Sequence, residues 1–198
     1  MKSNERCVVV IGGDNIFHYG LFRLIETECM RKHLSVLYYN DVRQFRLNLA
    51  SRNYGGFHLA ILCLGYYEFF PCWLSTFLTL LRKTEGNVLV FTDNPKLLSK
   101  QKKNLLNRVC DMEYVLDISM PVAYISFLLE HYLNRKRALA ETCKISMREL
   151  AVIDGFLNGV NAECHSSKLG IEIRTLYQHR KNCANKLGVR NLKDLLRL

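Results

Sequence analysis

Arg174, Tyr177, Gln178, Lys181 and Asn185 recur at helical spacing within Glu172–Leu187, EIRTLYQHRKNCANKL, and fall on one face. That face offers guanidinium, ammonium, amide and phenol donors and no carboxylate. Such a set can meet phosphates by charge and base edges by directed hydrogen bonds. The opposite face carries Leu176, Cys183 and Leu187 at i, i+7 and i+11, with Ala184 beside them, as an amphipathic helix requires. Just ahead lies SSKLGI, in which Gly170 can end one helix and turn into the next. Helix, glycine turn and cationic helix is the outline of a helix-turn-helix. A solvated face packed on nothing is the alternative that this stretch alone leaves open.

Other chemistry is sparse. The eight cysteines are irregularly spaced, form no CxxC pair, and several sit in apolar periodic segments, so buried reduced thiols in a cytosolic protein are expected. No Cys/His cluster suggests a metal, and no cofactor and no catalytic residue is assigned. Cys63, between Leu62 and Leu64, would need a nearby base or cation to act as a redox sensor, and none stands near it in sequence.

These residues need elements to hold them. A chain of 198 residues, 49% hydrophobic and 23% charged, can bury a core as one large or two small domains. Its net charge of +10 and pI near 9.3 favour a polyanionic partner, nucleic acid or an anionic membrane surface. The apolar run Cys7–Ile11 is too short for a cleavable signal and ends in Gly12-Gly13. Leu59–Leu81 is long enough for a membrane span, but Glu68 and Pro71 interrupt it, and a strand, loop and helix account for both halves; no membrane partner is expected.

Five β-rich runs are expected as strands: Cys7–Ile11, Leu34–Tyr39, Phe57–Leu64, Val88–Phe91 and Tyr114–Leu116. They alternate with five helical patterns: Ile16–Lys32, Val42–Ser51, Trp73–Arg82, the polar Pro95–Asn107 and Pro121–Leu133. A turn falls at Asp14–Asn15. This order predicts a doubly wound α/β domain over residues 1–133. The charged segment 134–144 reads as a linker. Residues 145–198 are all helical. Ser146 with Glu149 is a capping box, Gly159 closes the first helix, Asn161 caps Ala162–Leu169, and a final helix covers Leu192–Leu198.

The run from Ile145 to Leu198 resembles the DNA-binding domain of the LuxR/FixJ (GerE-type) regulators. The match includes Ser146, Arg148, Glu149 and Gly159, and Leu169 to Ile171. It continues through Thr175, Leu176, His179-Arg180 and Asn182 to Lys-Leu-Gly-Val at Lys186 to Val189. His165 stands where that family has an aliphatic residue and reads as a packed core histidine. The first half, Cys7 to Leu133, resembles a response-regulator receiver, flavodoxin-like in fold, with Asn15, Gly20 and Leu21 fitting the start of its first helix. It departs from the pattern where the chemistry lies. Gly12 and Gly13 replace the acidic pair that would hold Mg²⁺, with Asp14 one step late. Cys63 replaces the phospho-acceptor, Asp117 the lysine, and only Thr92 survives. Phosphorylation on aspartate is therefore not expected.

The resemblance implies a bacterial cytoplasmic transcription regulator binding double-stranded DNA as a dimer, with the final helix as a dimer surface. Tyr177, Gln178 and Lys181 would face base edges; Arg174, Thr175, Arg180 and Lys186 would meet phosphates. His179 is open to packing or to a phosphate contact. An auxiliary subunit forming a heterodimer with another LuxR-type regulator is the alternative, as for some enterobacterial members with degenerate receivers; regulation of surface structures such as fimbriae or capsule is the niche the resemblance suggests. The aromatic cluster Tyr66, Tyr67, Phe69, Phe70 and Trp73 is either core or a binding patch. Lys96, Lys100, Lys102, Lys103 and Arg108 form a basic helix, either a solvated face or a contact for flanking DNA or an acidic partner.

Overall fold

The computed structural model describes residues 7–13, 16–51, 56–65, 69–85, 87–92, 94–110, 115–117, 119–135 and 144–198. Strands β1 (Cys7–Ile11), β2 (Ser35–Tyr39), β3 (Leu59–Leu64), β4 (Val88–Thr92) and β5 (Val115–Asp117) form one parallel sheet in the order β2-β1-β3-β4-β5. This is the flavodoxin-like doubly wound order, whose switch point lies between β1 and β3. β1, β3 and β4 are buried at every position, which is why they read as unbroken apolar runs. Their side chains alternate. Val8, Val10, Ile61 and Leu89 face α1 (Ile16–Arg31) and α5 (Val122–Asn134). Val9, Ile11, Leu62 and Val90 face α2 (Val42–Ser51), α3 (Phe70–Lys83) and α4 (Lys100–Val109).

Three helices follow: α6 (Met147–Leu157), α7 (Ala162–Leu169) and α8 (Ile173–Leu187), then a 3₁₀ helix, Leu192–Arg197. The apolar cluster on the α2–α3–α4 side of the sheet runs on without a break into Ile145, Leu150, Ile153, Leu176, Leu187 and Leu195. α3 is the shared wall. It packs along α6, and Ser75 Oγ donates to Asp154 Oδ1 at 2.5 Å across the seam. Asn158 Nδ2 donates to Asp154 Oδ1 at 3.0 Å and to Ser75 Oγ at 3.1 Å, while Arg46 donates to Asn158 Oδ1. The buried Ser75 hydroxyl is thus matched by hydrogen bonds across the seam.

Several element limits differ from the sequence expectation. α3 begins at Phe70, three residues early, because Pro71 sits in the first turn, where its missing N–H costs nothing. The expected single helix Pro95–Asn107 is two pieces. A 3₁₀ turn, Pro95–Leu97, has Asn94 accepting from the Lys96 N–H at 3.0 Å; α4 then restarts at Lys100 with Ser99 accepting from the Lys102 N–H at 3.3 Å. Two local caps within six residues outcompete a continuous ladder. β3 starts at Leu59 rather than Phe57, β2 at Ser35 rather than Leu34, and β5 covers Val115–Asp117, with Tyr114 outside the described residues. The last helix is 3₁₀, opened by a capping box of Asn191 with Asp194. Asp14–Asn15, Tyr66, Tyr67 and 136–143 of the expected linker also lie outside the described residues. Among the described residues no helix is long and apolar enough to cross a membrane, and Leu59–Leu81 contains β3 and most of α3.

α6 and α7 meet at Gly155. A Cβ there would lie 2.3 Å from His165 Cε1, so the imidazole lies against the bare backbone. His165 is 4% exposed; burial, then the nearby Arg180 cation, push its pKa below the usual histidine range. Alanine in place of glycine within a helix normally stabilises by about 0.8–1 kcal/mol. Here overpacking, typically about 1–3 kcal/mol, should win. Gly155→Ala is therefore expected to lower the urea midpoint of the full chain; a raised midpoint would contradict this packing.

Candidate nucleic-acid interface

The helix-turn-helix is built by local caps. Ser146 Oγ accepts from the Glu149 N–H, and Glu149 Oε2 accepts from the Ser146 N–H at 2.9 Å, which starts α6. Asn161 Oδ1 accepts from the Cys164 N–H at 2.7 Å and starts α7. Gly170 ends α7 in the left-handed region at φ +62°, so the chain can reverse within three residues. Arg148 Nη2 donates to the Leu169 carbonyl at 3.2 Å, satisfying a free oxygen at that end. α8 then seats Leu176, Cys183, Ala184 and Leu187 in the core. Burial pushes the Cys183 thiol up to about 12, so it is a neutral core group.

The other side of α8 is open. Arg174, Thr175, Tyr177, Gln178, Lys181, Asn182, Asn185 and Lys186 are exposed, and the helix from Ile173 to Leu187 holds no carboxylate. The side chains divide into three groups. Arg174, Tyr177, Gln178 and Lys181 project from the outward face, with Gln178 Nε2 donating to Asn182 Oδ1 at 3.0 Å, one turn on. Arg180 is half-buried, its guanidinium 5.2 Å from the Phe156 ring centre and 5.6 Å from that of Tyr177, in cation–π range of both. Lys186 is paired with Glu149 Oε2 at 2.8 Å. Burial raises the Glu149 carboxyl, but hydrogen bonds from Lys186 and Ser146 outweigh it and hold the group below the usual carboxylate range. His179 is half-buried. The resemblance implies phosphate contacts for Arg180 and Lys186; their partners in the fold, Phe156 and Glu149, lie 24 and 37 residues away along the chain.

At the carboxyl ends of the strands, the crevice at the β1–β3 switch point is closely filled. Tyr38 donates to the Gly13 carbonyl at 3.2 Å, and a Cβ on Gly12 would lie 3.3 Å from Tyr38 Oη and 3.4 Å from Cys63 Sγ. The Gly13 N–H donates to His18 Nδ1 at 2.7 Å, and His18 meets Phe91 edge-on at 5.6 Å. Cys63 is buried, and its carbonyl accepts from the Trp73 indole at 3.0 Å. Thr92 Oγ1 donates to the Asn94 carbonyl at 2.9 Å, and Asp117 Oδ1 accepts from both the N–H and the hydroxyl of Ser119 at 2.8 Å. Sequence reading missed Tyr38 and His18; two adjacent glycines facing a large side chain were the available signal. Among the described residues no group of His, Cys, Asp or Glu is placed to hold a metal ion. In the aromatic cluster, Phe70 and Trp73 are core and stack at 5.7 Å, whereas Phe69 is exposed.

No protein-family model matches the chain, and comparison with curated proteins found no match. Among solved structures, full-length FixJ from B. japonicum aligns over 98% of this chain and 95% of its own, at 16% identity and TM-score 0.47. The two-component response regulator RcsB in complex with DNA aligns over 98% and 96%, at 18% identity and TM-score 0.42. RcsB from Salmonella enterica serovar Typhimurium, bound to promoter rprA in the presence of phosphomimetic BeF3-, aligns over 96% and 97%, at 20% identity and TM-score 0.45.

The Glu149–Lys186 pair supports α8 through a titratable group. A carboxyl depressed in the folded chain contributes stability above its unfolded pKa, about 4.3, and loses it as pH falls through the folded value. Glu149→Gln should therefore unfold at lower urea than wild type at pH 7, with the gap closing as pH falls below about 4. Urea titrations across that range check it; a gap independent of pH would mean that the charge of Glu149 contributes nothing.

Proposed function

We propose that this chain is a cytoplasmic, sequence-specific regulator of transcription that binds double-stranded DNA as a dimer and acts without aspartyl phosphorylation. The observation that carries the reading is the outward face of α8, the second helix of the helix-turn-helix, cationic, rich in donors and free of carboxylates. A helix about 10–12 Å across fits a major groove about 12 Å wide. Gln178 can bond adenine through its amide once it releases Asn182, Lys181 can donate to guanine O6 and N7, and Tyr177 lies beside them. Arg174 and Thr175, at the start of the helix, are suited to phosphate. Arg180 and Lys186 act from fixed positions, and Lys186, already facing Glu149, adds less to the phosphate term than its charge suggests.

Independence from phosphorylation is supported by the filled crevice. Gly12, Gly13 and Cys63 bring no carboxylate to it, and Tyr38 and His18 occupy the space beside them. Dimerisation is supported by the side of the sheet away from α8. Ile16 and Phe17 on α1 and Val122 on α5 are exposed and line a groove of about 480 Å³ between the two helices; Tyr19 on α1 and Tyr124 and Phe127 on α5 are exposed on the same two helices outside it. Six large apolar side chains exposed on two neighbouring helices suit a contact surface. The 3₁₀ helix Leu192–Arg197 suits that role less well, since Leu192 and Leu195 face inward. A heterodimer with another LuxR-type regulator would use the same α1–α5 face.

Duplexes selected from a random library provide the preferred site. Gln178→Ala is expected to cost about 1–3 kcal/mol there and less on random duplex, lowering the specificity ratio. Equal losses on both would show that α8 does not read bases. Beryllofluoride with Mg²⁺ should leave DNA affinity and oligomeric state unchanged. Phe127→Glu is expected to convert a dimer to a monomer in sedimentation velocity and to weaken DNA binding, because two linked half-site contacts become one. A wild-type chain that is monomeric alone and dimeric only with a second regulator would favour the heterodimer.

A further inference from the structure

On α8, Arg174, Lys181 and Gly188 recur every seven residues, and a heptad step drifts only about 20° around a helix, so the three positions form one row. The row is about 21 Å long at 1.5 Å per residue. Its first two positions carry exposed cations. The third is the glycine that ends the helix, at φ +70°, where a side chain would be strained. Space beside it is taken by another cation. A Cβ on Gly188 would lie 2.8 Å from Cζ of Arg108 and 3.0 Å from its Nε and Nη1. Arg108 belongs to α4 of the α/β unit, 80 residues earlier in the chain.

We propose that Arg108 is a DNA-phosphate contact, the third cation of the recognition row, supplied by the α/β unit to the helix-turn-helix. This rests on the DNA-binding reading above. Arg108 is exposed and carries no carboxylate partner among the described residues. α4 itself, KQKKNLLNRV, holds four cations and no acid, with Leu105, Leu106 and Val109 inward and Lys100, Lys103 and Arg108 outward. The Lys144 ammonium, donating to the Asn107 carbonyl at 3.1 Å, adds a further charge at the same end. A major groove about 12 Å wide is walled by phosphates on both sides. A row about 21 Å long outreaches a groove of that width, so cations at its two ends can meet phosphates while its centre reads bases. A guanidinium also suits phosphate geometry, presenting paired donors to two oxygens. The competing role is local. Arg108 lies beside the last carbonyls of α8 and could serve only to balance the helix dipole. That role would alter stability but not the number of counterions released from DNA.

The experiment is a salt titration of full-length protein on labelled duplex by fluorescence anisotropy, with wild type, Arg108→Gln, Arg108→Lys and Arg174→Ala. Arg108→Gln should weaken binding to preferred and random duplexes alike and flatten the slope of log affinity against log salt by ~0.9, one counterion. Arg108→Lys should restore the slope. If Arg174→Ala flattens the slope and Arg108→Gln does not, Arg108 is a structural residue and the inference is overturned while the DNA-binding reading stands. If wild type shows no salt-dependent binding, both fall. Phenylglyoxal labelling of the wild-type protein needs no variant to fold. Duplex DNA should protect Arg108 as it protects Arg174, and equal labelling of Arg108 with and without DNA overturns the inference.

Discussion

α3 is buried on both sides, and the rest of the structure depends on that. Trp73, Leu74, Phe77, Leu78, Leu80 and Leu81 are each no more than 1% exposed. One side of the helix closes the sheet; the other receives α6. A helix apolar all round is stable only when walled on both sides. Burying a Leu or Phe side chain contributes about 1.5–3 kcal/mol, so separating α6 from α3 would expose several such groups at once. The Ser75–Asp154–Asn158 hydrogen bonds fix the register of the seam but add little net energy by comparison. The helix-turn-helix is thus mounted on the α/β unit with its outward helix face turned to solvent.

That mounting explains how charge is distributed over α8. Residues on its inner half are tied down: Lys186 to Glu149, Arg180 between Phe156 and Tyr177. Residues on the outer half face solvent, and Gln178 is engaged only with Asn182 on the same helix. A rigid inner half lowers the entropic cost of ordering the outer half on a ligand. At the carboxyl ends of the strands, space is used as closely. Gly12 and Gly13 leave room that Tyr38, His18 and Cys63 fill. A hard cation requires several oxygen ligands, and Gly12, Gly13 and Cys63 supply no side-chain oxygen there.

Much of this was legible in the sequence where the signal is local and periodic. Buried parallel strands read as Val/Ile/Leu runs, and β1 and α2 fall where the pattern puts them. The outward face of α8 follows from the 3.6-residue period, and every residue placed on it from the sequence is exposed. Ser146 with Glu149 announced α6 and Asn161 announced α7. What was not legible depends on short-range hydrogen bonds or on distant partners. Asn94 and Ser99 split one expected helix into two through caps that no hydrophobic pattern records. Pro71 looked like an interruption but lies in the first turn of α3. The pairing of Lys186 with Glu149, the stacking of Arg180 on Phe156 and the approach of Arg108 to Gly188 join residues that only the fold brings together.

Amide chemical-shift mapping of isotope-labelled full-length protein with duplex DNA tests the central claim most directly. The account predicts large shifts at Arg174, Tyr177, Gln178 and Lys181, and unchanged positions for the amides of α3 and α6, because the mount does not move. Unshifted amides along α8 would contradict its role as the DNA-facing helix. Broad changes along the α3–α6 seam would contradict the fixed mounting.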